Sequence, residues 1–300
     1  MATCIWIGTD TGNEGDWATA ANWSGAAVPD DNDDVIFENS DQDVTEGFAQ
    51  SAKTLASLTI KASYTGTIGT DAAYLAIGAT TVNIGQGEGN GSPKIKLNTG
   101  AVQTALTIYS TATATDDTLG AVQWKGTHAD NVVTVQSGHL GVAMAGGEAA
   151  TIATLNVGYT TNQSTDSTVW LGSGCTLTTI NQTGGELVVQ SNVTTFTQYG
   201  GTSSLEGTMT LTTGTVYGGT CYYRSNGTCT NLIVTGGGVV DYSRNARART
   251  VTNADVYSGA TVLDPWKTVT WTNGIDLNYI GIDDVALDIG KNFTLTPSAI

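Results

Sequence analysis

Few residues of this 300-residue chain combine a reactive type with a spacing that could do chemistry. The densest set of oxygen ligands is Asp30, Asp31, Asn32, Asp33 and Asp34, whose carboxylates and amide are the hard donors that calcium takes. The run lacks the glycine-spaced loop of an EF-hand and the Gly-Gly-x-Gly-x-Asp nonapeptide of calcium β-rolls. An acidic turn before a strand at 35–37 is therefore the favoured reading, with Asp30, Asp31, Asp33 and Asp34 kept as a calcium alternative. Gly85, Gly87, Gly89 and Gly91 have the look of a phosphate loop, but Lys94-Ile95-Lys96-Leu97 follows as a strand pattern. With no helix N-terminus to meet an anion, a loop is expected there. His128 and His139 are the only histidines, and neither sits in a triad-like or metal-like context.

Polysaccharide cleavage would need either two carboxylates facing one bond or a base with a cation beside a developing enolate. Between positions 184 and 257 the acids are only Glu186, Glu206, Asp241 and Asp255, set far apart in sequence. Asp264, Asp276, Asp283, Asp284 and Asp288 are denser, accompanied by Lys267 and Lys291. No catalytic motif marks either group. The expectation is a non-enzymatic protein without a cofactor.

The elements that would carry any site are strands. Gly184-Gly185, Gly200-Gly201, Gly218-Gly219 and Gly236-Gly237 recur at almost even steps. Between them, runs such as Val193-Thr194-Thr195-Phe196-Thr197-Gln198-Tyr199 and Thr215-Val216-Tyr217 alternate large or β-branched residues with small polar ones, the period of a strand. A unit of that length holds two or three short strands and their corners. Fixed-period units of this kind stack, each burying its apolar face on its neighbours. The expected fold is all-β, a parallel β-helix (β-solenoid) with an N-terminal aromatic cap. Tyr199, Tyr217 and Tyr257, each just before a glycine-bearing corner, are expected to form a ladder.

Composition agrees. The chain has 38 Gly and only 13% charged residues, against roughly 25% in ordinary globular domains. No ten-residue segment pairs a helical period with good helix formers, and nothing resembles a membrane span of about 20 apolar residues. Cys4, Cys175, Cys221 and Cys229 lack metal-site spacing and are read as reduced, structural thiols. The first eight residues have neither a basic nor an apolar region of a secretory signal, so folding in the cytoplasm is expected.

The formal charge of −16 is unevenly placed: residues 1–50 hold 11 of the 27 acids and no Lys or Arg. Such a surface argues against nucleic acid, which requires clustered cations. All four arginines lie between Arg224 and Arg249. Arg244, Arg247 and Arg249 are expected to form either a charged corner that keeps a strand edge soluble or a basic edge for docking and oligomerisation. Three parts are expected: a cap and docking segment at 1–50, irregular β-solenoid coils at 51–130 and regular coils at 131–300.

The opening segment carries the one family-like signature: Trp6-Ile7-Gly8, then Gly15-Asp16-Trp17 and Asn22-Trp23-Ser24-Gly25, then Val28-Pro29 and Asp33-Asp34-Val35-Ile36-Phe37. It resembles the opening found before parallel β-helices in autotransporter-like passengers and in phage and environmental surface proteins. Ala26 stands where a second glycine is common in that pattern. The resemblance implies a cap built from Trp6, Trp17, Trp23, Pro29 and Phe37, and implies no activity. Together with the absent signal, it leads to the expectation of a virion protein, a capsid decoration or head-fibre protein on the outside of a phage. Expected partners are the major capsid protein or another virion protein, copies of itself as a homotrimer, and a host-surface glycan, with no membrane or nucleic acid. A receptor-binding adhesin or bacterial surface passenger is the alternative, and a polysaccharide-degrading tail spike the third.

Overall fold

The computed structural model describes residues 2–112, 120–158, 167–278 and 286–289. It is an all-β parallel β-solenoid of about 11 turns. Its described residues form 24 strands and a single turn of 3-10 helix at Ala20–Asn22. The chain divides into two compact units, the first formed by residues 1–155 with 166–175, the second by 156–165 with 176–300. No helix among the described residues is long and apolar enough to cross a membrane.

In the first unit, register fixes the length of a coil. Asp34 pairs with Ser57, Ser57 with Thr81, Thr81 with Ala105 and Ala105 with Val132. Hydrogen bonds between successive coils span the same interval, 24 residues from the Thr80 hydroxyl to the Ala56 carbonyl. Because side chains alternate across a strand, every second residue points inward and meets its equivalent one coil away. Val35, Leu58, Val82, Leu106 and Val133 form one such buried column. Leu75, Leu97, Trp124, Val142 and Leu171 form another. Each fully buried aliphatic of this kind contributes about 1.5–3 kcal/mol.

In the second unit the coils shorten. Leu177 pairs with Val193, Val193 with Leu211, Leu211 with Cys229 and Cys229 with Val251. The bond from Thr210 N–H to the Asn192 side chain crosses one coil in 18 residues. The glycine pairs make the tight corners. Gly201 has φ +76°, and a Cβ there would lie 2.5 Å from the Gly185 carbonyl oxygen one coil back. Gly219 repeats the arrangement over Gly201, with φ +74°. The corner carbonyls turn inward, where two fully buried glutamines meet them. Gln182 Nε2 donates to the carbonyls of Gly185 and Thr202 (3.1 and 3.0 Å), and Gln198 Nε2 donates to those of Gly201 and Thr220 (3.0 and 3.2 Å). A buried amide is tolerated because it satisfies groups the corner would otherwise leave unpaired.

Candidate functional site

The N-terminal end of the first unit carries the expected cap. The edge strand Thr3–Ile5 pairs on one side with Asp34–Phe37. On the other side, Ser24 N–H donates to the Ile5 carbonyl and Ile7 N–H to that of Asn22, both at 2.9 Å, which blunts the free edge. Asn22 is fully buried: its Oδ1 accepts from Asp10 N–H, and its Nδ2 donates to the carbonyls of Asn13 and Asp16. That clasp folds the opening loop so that the next residue, Trp23, points inward. Trp23 meets Trp6 and Trp17 edge to face at centroid distances of 5.0 and 4.6 Å, and its Nε1 donates to the Trp17 carbonyl. Phe37 lies behind the three indoles and contacts Tyr64, a member of the cluster that no motif in the chain marks. Pro29 is buried as well.

The acidic run beneath this cap does not converge on a cation. Asp30 pairs with Lys53, Asp31 accepts from Thr54 N–H, Asp34 accepts from the Ser57 hydroxyl, and Asp33 accepts from the N–H groups of Ala2 and Asp30. The calcium alternative fails for that reason, and no other metal-competent group of His, Cys, Asp and Glu occurs among the described residues. The Ala2 and Asp30 N–H groups hold the Asp33 carboxyl below the usual carboxylate range. A folded-state pKa below the unfolded value, about 3.9, gives a stabilisation that is present above about pH 4 and lost as pH falls through the folded value. Acid titration of thermal stability is expected to show this loss in the native chain and a smaller one in Asp33→Asn. Equal acid sensitivity would mean that Asp33 contributes nothing to the cap.

The other groups singled out by sequence do not assemble a reaction centre. Gly91 N–H donates to the Ala62 carbonyl, so the glycine loop is fastened to the preceding coil. His128 Nδ1 accepts from Asp130 N–H at 3.1 Å, which makes a local turn. A shallow groove of about 250 Å³ runs past Val102, Thr104, Asp130 and Val132, and Asp130 is the one titratable group in its lining. Asp264 is fully buried and accepts from Thr268 N–H, Thr268 Oγ1 and Val269 N–H, a corner brace. Asp283, Asp284 and Lys291 lie outside the described residues. All four cysteines are buried and unbridged, and burial pushes the Cys221 and Cys229 thiols up to about 12, which makes them inert.

Two clusters went unanticipated. In the first unit, Lys125 Nζ stands 3.8 Å and Lys96 Nζ 4.6 Å from the Tyr74 ring centre, while Lys125 pairs with Glu148 at 2.9 Å. Burial pushes the Glu148 carboxyl up, but bonds from Lys125, Tyr74 and the Ala145 N–H outweigh it and leave it below the ordinary range. Lys96 Nζ donates to the Asp71 carbonyl and Lys94 pairs with the Asp71 carboxylate. These cations are consumed by partners within the unit, so the cluster works as a clasp across successive coils.

The second cluster reaches solvent at Arg244 and Trp266. In the second unit, Ser204, Tyr222 and Asp241 stand in one register column. The Arg244 guanidinium lies 4.6 Å from the Tyr222 ring centre and 3.8 Å from Asp241, and Arg224 pairs with Glu206 at 3.1 Å. Trp266 is 64% exposed and donates its indole N–H to the Ser243 carbonyl at 2.9 Å. Arg247 is exposed nearby in sequence. Arg249 departs from the expected basic edge. It is only 3% exposed, and its guanidinium points into the second unit towards the carbonyls of Tyr223, Asn245 and Arg247. The surface edge is therefore Arg244 and Arg247, joined by Tyr222 and Trp266. Tyr222 was legible in principle, because alternation within Thr220–Tyr223 turns Tyr223 inward and Tyr222 outward.

No protein-family model matches the chain, and no curated protein or solved structure matches it.

Proposed function

We propose that this chain is a non-enzymatic structural protein on the exterior of a phage particle, a capsid decoration or head-fibre protein. It would hold to the major capsid protein or another virion protein and to copies of itself, as a trimer. The observation that carries the reading is the exposed set of Arg244, Arg247 and Trp266, with the half-buried Tyr222 beneath Arg244. Arginine and large aromatics are the residue types that dominate protein interfaces, and here they concentrate in a chain of net charge −16. An acidic partner surface complements them, and charged rims of this kind govern register and association rate more than affinity.

The Arg244→Ala/Arg247→Ala double variant is expected to keep the fold and to associate more weakly, by about tenfold or more at low salt, with the difference shrinking as salt screens the contact. Occupancy on particles by electron microscopy and self-association by sedimentation both read this out. Unchanged occupancy, association and salt dependence would reduce the edge to a solubilising corner. Release of oligosaccharides from host polysaccharide by the purified protein would instead favour the tail-spike reading.

A further inference from the structure

The second unit presents a flat outward face built from the strands Val193–Gln198, Leu211–Val216, Cys229–Val234 and Arg249–Tyr257. Their last inward residues, Gln198, Val216, Val234 and Val256, are in register, so the residues that follow form one outward column: Tyr199, Tyr217, Thr235, Tyr257. Tyr199 and Tyr217 stack with centroids 5.0 Å apart and planes within 4°. That separation is close to the strand spacing of about 4.8 Å, so the ring faces point along the stacking direction. The expected ladder then misses a rung. Thr235 supplies no ring, which leaves one face of Tyr217 uncovered and sets Tyr257 two strand spacings from it, about 9.6 Å. Tyr217 is 46% and Tyr257 38% exposed.

The width selects the guest. A flat aromatic ring sandwiched at van der Waals distance would fill only about 7 Å, whereas a puckered saturated ring about 1 Å thick with carbon contacts near 4 Å on each side fills about 9 Å. The polar groups select its charge. The adjacent outward column reads Thr197, Thr215, Ile233, Asp255, and the next reads Thr195, Thr213, Asn231, Asn253. Asn253 Nδ2 donates to Asn231 Oδ1 at 2.8 Å, and Asn278 Nδ2 donates to Asp255 Oδ1 at 3.2 Å, which fixes both side chains. Neither column contains a cation, so an acidic sugar meets a carboxylate and no counter-charge, while neutral hydroxyls find acceptors. We propose that the opening over Thr235, between Tyr217 and Tyr257, binds one neutral pyranose unit of a polysaccharide.

The test uses the full chain and cello-, malto-, laminari-, galacto- and manno-oligosaccharides, followed by saturation-transfer NMR and calorimetry. At least one is expected to bind with Kd of about 1 mM, the range for one ring with few polar contacts. Thr235→Tyr completes the column and fills the opening. It is expected to abolish binding while circular dichroism and thermal unfolding stay native. Tyr217→Ala and Tyr257→Ala should each weaken binding about five- to tenfold, and Tyr199→Ala, which does not border the opening, by less. No saturation transfer from any of the sugars at several times that concentration, about 5 mM, would overturn the proposal, as would binding that survives Thr235→Tyr. Concentration-dependent self-association that Thr235→Tyr abolishes would also overturn it, since the opening would then hold a second copy of the chain.

Discussion

Replacing Trp23 with Ala is expected to destabilise the first unit by about 3–5 kcal/mol, the cost of emptying a fully buried large aromatic site. The site cannot collapse cheaply. Trp6 and Trp17 both meet Trp23 edge to face, at 71° and 72°, and Phe37 stands 6.0 Å away. The Trp17 carbonyl also loses the indole N–H that it accepts. Trp23 is 1% exposed while Trp266 is 64% exposed, so Trp266→Ala is the internal control, expected to shift stability by less than about 0.5 kcal/mol. Denaturant titration followed by near-ultraviolet circular dichroism reads both, because coupled indoles report on the cap itself. Deleting residues 1–50 goes further: it removes Asp34–Phe37 and so frees the strand edge from Ser57 to Ile60 that it covers, which should drive edge-to-edge association. A Trp23→Ala protein with a native midpoint, or a truncated chain that stays soluble and monomeric, would make the segment a tether.

How much of this was legible depends on where the physical constraint is local. A glycine pair at a corner is forced by backbone sterics, so Gly200-Gly201 and Gly218-Gly219 announce the coil period directly in the sequence. The first unit has the single pair Gly146-Gly147 and no repeated punctuation of this kind. Its strands Ala49–Lys61 and Leu75–Gln86 run through their corners, with a register shift between Gln50 and Thr54, so coils of nearly constant length look irregular in sequence. Burial of polar groups was the other blind spot. Gln198 reads as an outward residue by type, yet it is fully buried because the corner carbonyls need its donors. Asp30, Asp31, Asp33 and Asp34 read as a ligand set by density, yet each is spent on a different partner. Type and spacing show which groups are available. Their partners most often stand on neighbouring coils, a whole coil away along the chain, and only the register reveals them.

Arg249 is the sharpest instance. It stands two residues before the inward Val251 on the same strand, so period two places it inside, although its charge suggested a surface edge. Replacing it with Met is expected to cost about 2–4 kcal/mol. Two effects oppose each other. Removing a guanidinium relieves the desolvation of a buried charge, which has made some buried ion pairs dispensable. That compensation requires both partners to go, and here the partners are backbone carbonyls of Tyr223, Asn245 and Arg247, which stay behind. The bond to the Tyr223 carbonyl is the buried one, and a buried acceptor left unpaired costs about 1–3 kcal/mol; with the part-buried Asn245 and Arg247 carbonyls adding to it, the loss outweighs the relief. Arg249→Lys should recover only part of it, because a point charge cannot serve three carbonyls as a planar fork does. The same bonds hold the segment bearing Arg244 and Arg247, since two of the three carbonyls belong to residues 245 and 247. Arg249→Met should therefore lower both the unfolding midpoint and docking at temperatures where the fold persists, whereas Arg244→Ala and Arg247→Ala should lower docking alone. An Arg249→Met protein as stable as the native chain would show that desolvation relief dominates and that the guanidinium fork does not brace this corner.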